Sequence, residues 1–413
     1  MYKLLSRIIC GRIEATLDEA QSEDQAGFRP GYSCDDHLFT ITLLAEKCKE
    51  FNVPLWVATL DFKKAFDSID QTSIWTALTD HGVSPAYINL LSKLYQGQRA
   101  RVKCDMNSRE FDIKKGTKQG DPVSPILFNA VLECVMRKVK AKWAMKMHGL
   151  QIGHIPESMI TNLRFADDIL LVGRTLPQIK QMIADVAAEG KKVGLELHPQ
   201  KTKIQHNNIG YGSRVTSASV SGMLIEVLDP ADGAMYLGRA LCLTDTHDKE
   251  LQHRLKKAWA KYAVYKHELT NKSVPLHFRL RLFHAAVKPM VLYGSGSWVM
   301  TSRRCGQLMS VQMRMLRAVL GRKRLTYPTG DVERWVSWVQ RTTHEVRREM
   351  HLHGIPRWED AQKTRLNGWY EKLLRMAPER WAKRAFSWDP IGFRQRGHPC
   401  SRWCEQLPID VLS

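Results

Sequence analysis

Between Tyr2 and Leu17 the apolar residues recur every three or four positions (YKLLSRIICGRIEATL), a period that predicts an amphipathic helix. After a polar turn, HLFTITLLAEKCKEF repeats the pattern and predicts a second helix to about Phe51, with Asp35 or Asp36 as its cap. The period then changes. LWVATL, residues 55–60, is a short continuous apolar run that reads as a strand delivering Asp61 at its end. Helical spacing returns over 73–97, with Ser84-Pro85 opening the second of two helices, and RVKC and FDIKK read as a strand pair. A loop over 116–124 leads into an apolar helix from Pro125. LRFADDILLVG then places two strand-like runs around a two-residue Asp-Asp turn, which is a hairpin with acids at its tip.

A helix over 178–193, a strand GLEL and the tract KTKIQ complete a β-α-β-β-α-β order. That order predicts an α+β fold in which an antiparallel sheet is covered by helices on one face. Beyond Tyr236-Leu237-Gly238 the chain turns basic and nearly all helical, so one boundary is expected near Leu241. A second is expected at 326–330, where TYPTG opens a Trp-rich tail. The expected domains are therefore 1–241, 242–325 and 326–413.

Charge sharpens this division. The 413 residues carry a net charge of +20, and residues 241–413 hold 32 basic against 15 acidic residues, so nearly all of the excess lies in this part. Over 251–330 there are 16 basic residues and one acidic residue, Glu268, interleaved with aromatic rings such as Trp259, Tyr262 and Phe278. This mixture suits a helical surface tracking a phosphate backbone. No apolar run approaches the roughly 20 residues of a membrane span, and no signal peptide is apparent, so a soluble intracellular protein is expected. The nine cysteines are odd in number and lack a repeated C-x-x-C, which argues against a disulfide framework. His398, Cys400 and Cys404 lack a fourth ligand at standard spacing and are not read as a zinc site.

The acids carry the candidate chemistry. Joining a 3′-hydroxyl to a nucleoside triphosphate calls for two divalent ions about 4 Å apart, and Mg²⁺ or Mn²⁺ takes carboxylate oxygens readily. A lone acid after a strand and an acidic pair at a later hairpin converge if the two strands are neighbours. Taken singly, Asp61 reads as a helix cap and Asp167-Asp168 as an ordinary turn. Flanked by Phe165, Ile169, Leu170 and Leu171, however, the pair stands near apolar surface, a costly place for charge without compensating ions.

Five blocks now stand in order: LDFKKAFDSID (60–70), KQGDPVSPILFNAVLE (118–133), LRFADDILLVG (163–173), GLELHPQKTKI (194–204) and MYLG (235–238). Together with QAGFRPGYSC (25–34) they resemble the ordered motifs of reverse transcriptases from LINE-type (non-LTR) retroelements. LRLFHAAVKPMVLYGSGSW, RMLRAVLGRKR and RQRGHPCSRW extend the resemblance through most of the chain. It implies a right-hand polymerase with fingers and palm, then a basic helical thumb and a helical C-terminal region. The implied activity is RNA-directed DNA polymerisation during retrotransposition, with an RNA template, a DNA primer and deoxynucleoside triphosphates as partners and two Mg²⁺ or Mn²⁺ ions as cofactors. The enzyme would be nuclear when bound to target DNA.

By the same resemblance Asp61, Asp167 and Asp168 would be the catalytic metal ligands. Phe66 would lie under the sugar and exclude a 2′-hydroxyl, unless it is simply core. Gln119 and Gly120 would border the incoming nucleotide and template, and Lys201 would stand near the leaving pyrophosphate. Tyr236, Leu237 and Gly238 would grip the primer end, although packing explains the first two almost as well. Arg254, Lys256, Lys257, Lys261 and Lys266 would hold the duplex by its phosphates, with some of them merely solvated. The family's upstream basic segment and endonuclease have no counterpart before Met1, so a truncated element is expected. Phe165 replaces the usual tyrosine, with little expected effect. The competing expectation is a catalytically silent nucleic-acid-binding remnant. A nucleotide cyclase would need a GGDEF-like turn that the chain lacks.

Overall fold

A computed structural model of the protein describes residues 2–103, 108–153, 158–210, 215–392 and 401–407. The chain forms two compact units. The first takes in residues 2–238, 242–244 and 377–392, and the second residues 239–241, 245–376 and 401–407.

The first unit is built in chain order from α1 (Tyr2–Glu19), α2 (Cys34–Glu50), β1 (Trp56–Leu60), α3 (Ala65–Ser68), α4 (Gln71–Asp80) and α5 (Pro85–Tyr95). Next come β2 (Arg99–Ala100), β3 (Phe111–Asp112), α6 (Ser124–Met145), β4 (Leu150–Gln151), β5 (Met159–Ile160), β6 (Asn162–Phe165) and β7 (Asp168–Gly173). It continues through α7 (Leu176–Lys191), β8 (Lys203–His206), β9 (Ser217–Val220), β10 (Met223–Val227) and β11 (Ala234–Tyr236). Six strands form one sheet in the order β6-β7-β1-β8-β10-β9, antiparallel except for the β8/β10 pair.

Trp56, Ala58 and Leu60 of β1 and Ile169 and Leu171 of β7 share one core with α6 and α7. Residues pointing the other way, Val57, Leu170 and Val172, are buried as well, and α2 runs against β6. The sheet is therefore covered on both faces at its centre, where one covered face was expected. The physical signal was present, because LWVATL is continuously apolar and a strand exposed on one side would alternate.

Two further expectations are adjusted. GLEL is not a strand: only Leu197 makes a bridge, to Phe62, while Gly194 (φ +86°) bends the chain against Ser68. The predicted RVKC–FDIKK pairing is carried by Arg99–Ala100 against Phe111–Asp112, and residues 104–107 lie outside the described residues.

The second unit holds β12 (Arg239–Leu241) and then α8 (Asp248–Val264), α9 (Lys266–Thr270), α10 (Leu276–Val291), α11 (Ser302–Leu320), α12 (Trp335–Leu352) and α13 (Trp358–Leu374). Its core runs from Leu251 to Trp358 without a division at 326, because Val346 and Met350 of α12 and Trp358 of α13 pack into the same cluster as Leu251, Phe283 and Leu316. The tail expected from 326 thus splits. Residues 326–376 complete the helical unit, whereas α14 (Trp381–Ser387) belongs to the first unit and packs on α2. Trp381 donates to Asp24 at 2.7 Å, and Arg380 pairs with Asp36. His398 and Cys400 lie outside the described residues. Among those residues no helix is long and apolar enough to cross a membrane.

Candidate active site

β1 and β7 run antiparallel with Leu60 opposite Ile169, so Asp61, one residue past β1, comes abreast of Asp168. Neighbouring strands lie about 4.8 Å apart, which brings the two acids onto one end of the sheet. β6 pairs Phe165 directly with Asp168. The hairpin turn therefore consists of Ala166 and Asp167, with Ala166 left-handed at φ 55°, and Asp168 is the first residue of β7. The sequence pattern puts both acids in the turn; the observed register shifts it back by one residue.

The three carboxylates act on one another electrostatically. Burial, then the neighbouring Asp167 and Asp61, push the Asp168 carboxyl up to about 6. Burial also raises Asp167; its own backbone N–H opposes this, and Asp61 adds to it. Asp168 as a whole residue is nonetheless exposed, and Asp167 half-buried. Asp61 holds Lys201 Nζ at 3.4 Å, and its Oδ2 makes no hydrogen bond. The Asp61 backbone oxygen accepts from His198 N at 2.7 Å, which is how the segment after Gly194 brings Lys201 to the acid.

Among the described residues no three or more His, Cys, Asp or Glu side chains form a metal cage by themselves. The aspartates instead offer mutually repelling carboxylates, one of them ion-paired with Lys201. That donor set fits Mg²⁺ or Mn²⁺, which complete their shells with water and substrate oxygens.

Beside Asp61 opens a cleft of roughly 610 Å³ whose lining includes Lys63, Lys64, Lys115, His198 and Lys201. Lys63 pairs with Glu196 at 3.4 Å and Lys115 with Asp70 at 3.1 Å. Lys63, Lys64 and Lys115 were not singled out from the sequence, although the Lys-Lys doublet two residues after Asp61 was a usable signal.

Phe66, on α3, is half-buried and stacks on Phe128 of α6 with ring centroids 4.5 Å apart. Gln119 and Gly120 are exposed in the loop before α6. Gly120 has φ +78°, and a Cβ there would meet nothing within 4 Å, so backbone conformation rather than close approach favours glycine. Tyr236 and Leu237 are buried, and the chain turns through two left-handed residues, Leu237 and the exposed Gly238.

In the helical unit Lys256, Lys257 and Lys266 are exposed, and Lys261 lies over the Tyr265 ring. Arg254 differs from them. It is buried, pairs with the buried Glu250 at 2.6 Å and lies over the Tyr293 ring, so its charge is committed inside the unit. The sequence could not separate it from its neighbours, because burial on α8 depends on which helices cover it.

The family described as reverse transcriptase (RNA-dependent DNA polymerase) matches residues 1–241. The retrovirus-related Pol polyprotein from the type-2 retrotransposable element R2DM of Drosophila melanogaster is 29% identical over 203 residues, covering 49% of this chain and 18% of that one. A Pol polyprotein from a type-1 R2 element of Popillia japonica is 27% identical over 319 residues, covering 73% of this chain and 41% of that one. The chain thus spans less than half the length of either relative. A structure of telomerase from Candida albicans with a fragment of telomeric RNA aligns with a TM-score of 0.44 at 12% identity, covering 82% of this chain and 58% of that one. With more than half of its length matched, the chain belongs to the reverse transcriptase family.

Proposed function

We propose that this chain adds deoxynucleotides to a primer 3′-hydroxyl on an RNA template, by two-metal phosphoryl transfer, as part of retrotransposition. The observation that carries the reading is the β1/β7 register, which sets Asp61 abreast of Asp168 beside the Ala166-Asp167 turn. Asp61, Asp167 and Asp168 would hold two Mg²⁺ or Mn²⁺ ions. Bound there, such ions lower the pKa of the attacking hydroxyl and neutralise charge on the leaving pyrophosphate.

The other side chains bind and orient. Phe66 has one face on Phe128 and would offer its remaining surface to the sugar, where a 2′-hydroxyl meets the ring. Lys201, already beside Asp61, would meet the departing pyrophosphate and can donate a proton to it. Gln119 and Gly120 would border the nucleotide and template. Tyr236 and Leu237 would stiffen from within a turn that offers Gly238 to the primer end. Lys256, Lys257, Lys261 and Lys266 would contact duplex phosphates, to which the preponderance of basic residues over 251–330 is suited.

Primer extension on poly(rA)/oligo(dT) with Mg²⁺ or Mn²⁺ tests the reading. Incorporation of dTTP is expected from the chain and is lost in Asp167→Asn. Duplex binding without any extension would instead identify a silent nucleic-acid-binding protein.

A further inference from the structure

The acidic hairpin is held by a side chain that lies far from it in sequence. Residues 24–26 run parallel along the free edge of β6: Arg164 N donates to Asp24 O at 2.7 Å and Ala26 N to Arg164 O at 2.9 Å. This addition buries Gln25 completely and aims its amide at the turn. Gln25 Oε1 accepts from Ala166 N and from Gly27 N, both at 2.9 Å, while Nε2 lies 3.5 Å from Ala166 O and 3.3 Å from Asn129 Oδ1.

Ala166 needs such a partner. It is buried, left-handed without being glycine, and sits in a two-residue turn where the ladder leaves its polar groups unpaired. Its carbonyl belongs to the peptide that leads into Asp167, so the amide of Gln25 fixes the plane from which that carboxylate projects. Gly27 makes the approach feasible, since a Cβ there would stand 2.3 Å from Ala166 N. Asn129 of α6 donates to Gly27 O at 2.8 Å and ties the arrangement to the helix that also carries Phe128.

We infer that Gln25 is a positioning residue for Asp167 and Asp168, acting through the backbone of Ala166, and that Gly27 and Asn129 hold it in place. The inference rests on the polymerase reading for its effect on rate, but its structural half stands independently of that reading. Two variants separate the possibilities. Gln25→Met keeps the length and loses every bond; Gln25→Glu keeps an acceptor for the two N–H groups while exchanging the amide donor for a carboxyl oxygen.

In primer extension, kcat for Gln25→Met is expected to fall about 10- to 100-fold, as a small misplacement of reacting groups does, with KM for dTTP within about twofold. The Mn²⁺ concentration for half-maximal rate should rise, and Gln25→Glu should fall between Gln25→Met and the parent. Hydrogen exchange followed on the peptide spanning 163–170 should accelerate in Gln25→Met and less in Gln25→Glu, while peptides from α7 stay unchanged. Unaltered exchange at the hairpin, or equal losses in the two variants, overturns the inference. If Gln25→Met does not fold, the graded exchange and kcat of Gln25→Glu against the parent decide it. If the parent chain extends no primer, the polymerase reading falls, and the exchange data still decide whether Gln25 holds the turn.

Discussion

Lys201 Nζ lies 3.4 Å from Oδ2 of Asp61, so the carboxylate proposed to bind metal is paired with a cation of the chain itself. The lysine is largely exposed, and an exposed pair of this kind is worth about 0.2–1 kcal/mol. An incoming ion must displace it. Lys201→Met is therefore expected to bind Mn²⁺ up to about fivefold more tightly without nucleotide. Its single-turnover incorporation should nonetheless slow by about tenfold or more, because a proton donor and a cation at the leaving group are gone. Calorimetric titration with Mn²⁺ and rapid-quench kinetics read the two effects, and unchanged Mn²⁺ affinity would argue against the competition.

In the proposed reading Phe66 serves two purposes, packing on Phe128 and limiting the sugar. Phe66→Val should then accept ribonucleotides, with the ratio of kcat/KM for dTTP over UTP falling by about 10- to 200-fold, the span expected when a steric restriction in a pocket is relieved. A purely structural Phe66 would lower both values together. Competition between the two nucleotides in primer extension distinguishes these outcomes.

Arg164 is buried between two acids, Glu133 at 2.7 Å and Asp24 at 3.7 Å, and Lys140 also pairs with Asp24. Burial by itself would raise both carboxyls, yet the cations hold them below the usual range. A carboxyl depressed in the folded state contributes stability that is present above its unfolded value near 4 and is lost as pH falls through the folded value. Arg164→Leu leaves two buried carboxylates underpaired and should cost about 3–5 kcal/mol at pH 7. The pH trend should also change: between pH 7 and 4.5 the stability deficit of the variant relative to the parent should shrink as its carboxyls take up protons. Urea unfolding at several pH values gives this directly, and a constant deficit would contradict it.

On α8 neighbouring bases should behave differently. Replacing the exposed Lys256 and Lys257 with alanine is expected to leave stability nearly unchanged. The dependence of duplex binding on log salt should become shallower by about one for each phosphate that is no longer neutralised. Arg254→Ala strands the buried Glu250 and should instead destabilise the helical unit by about 3–5 kcal/mol. Fluorescence anisotropy over a salt series, paired with thermal melts, tests both halves.

Much of the candidate site was legible because its signals are local. The apolar run 55–60 marks β1, the hairpin pattern marks β6 and β7, and the acids sit at their ends. Periodicity likewise located α1, α2, α6 and α7. Local patterns were less informative where an element's state depends on distant partners. GLEL has strand-like alternation, but Gly194 bends against Ser68 and leaves a single bridge. The turn at 326–330 resembles a boundary, yet α12 and α13 complete the core begun by α8.

The sequence by itself determined which residues alternate and carry charge, because those properties depend on side-chain chemistry and spacing within a few positions. The cap of α2 fell instead to Ser33, with Asp36 three residues on bonding back to the Ser33 backbone N–H. Only the tertiary structure decided that Gln25 closes around Ala166, that Lys201 faces Asp61, that Arg254 is buried with Glu250, and that Trp381 reaches Asp24. Each of these pairs except Arg254 and Glu250 is separated by more than a hundred residues of chain, and even on α8 it is the packing of other helices that sets which side is covered. Which groups meet is fixed when the sheet and helices bury their apolar faces together, a collective outcome that no short stretch of sequence encodes.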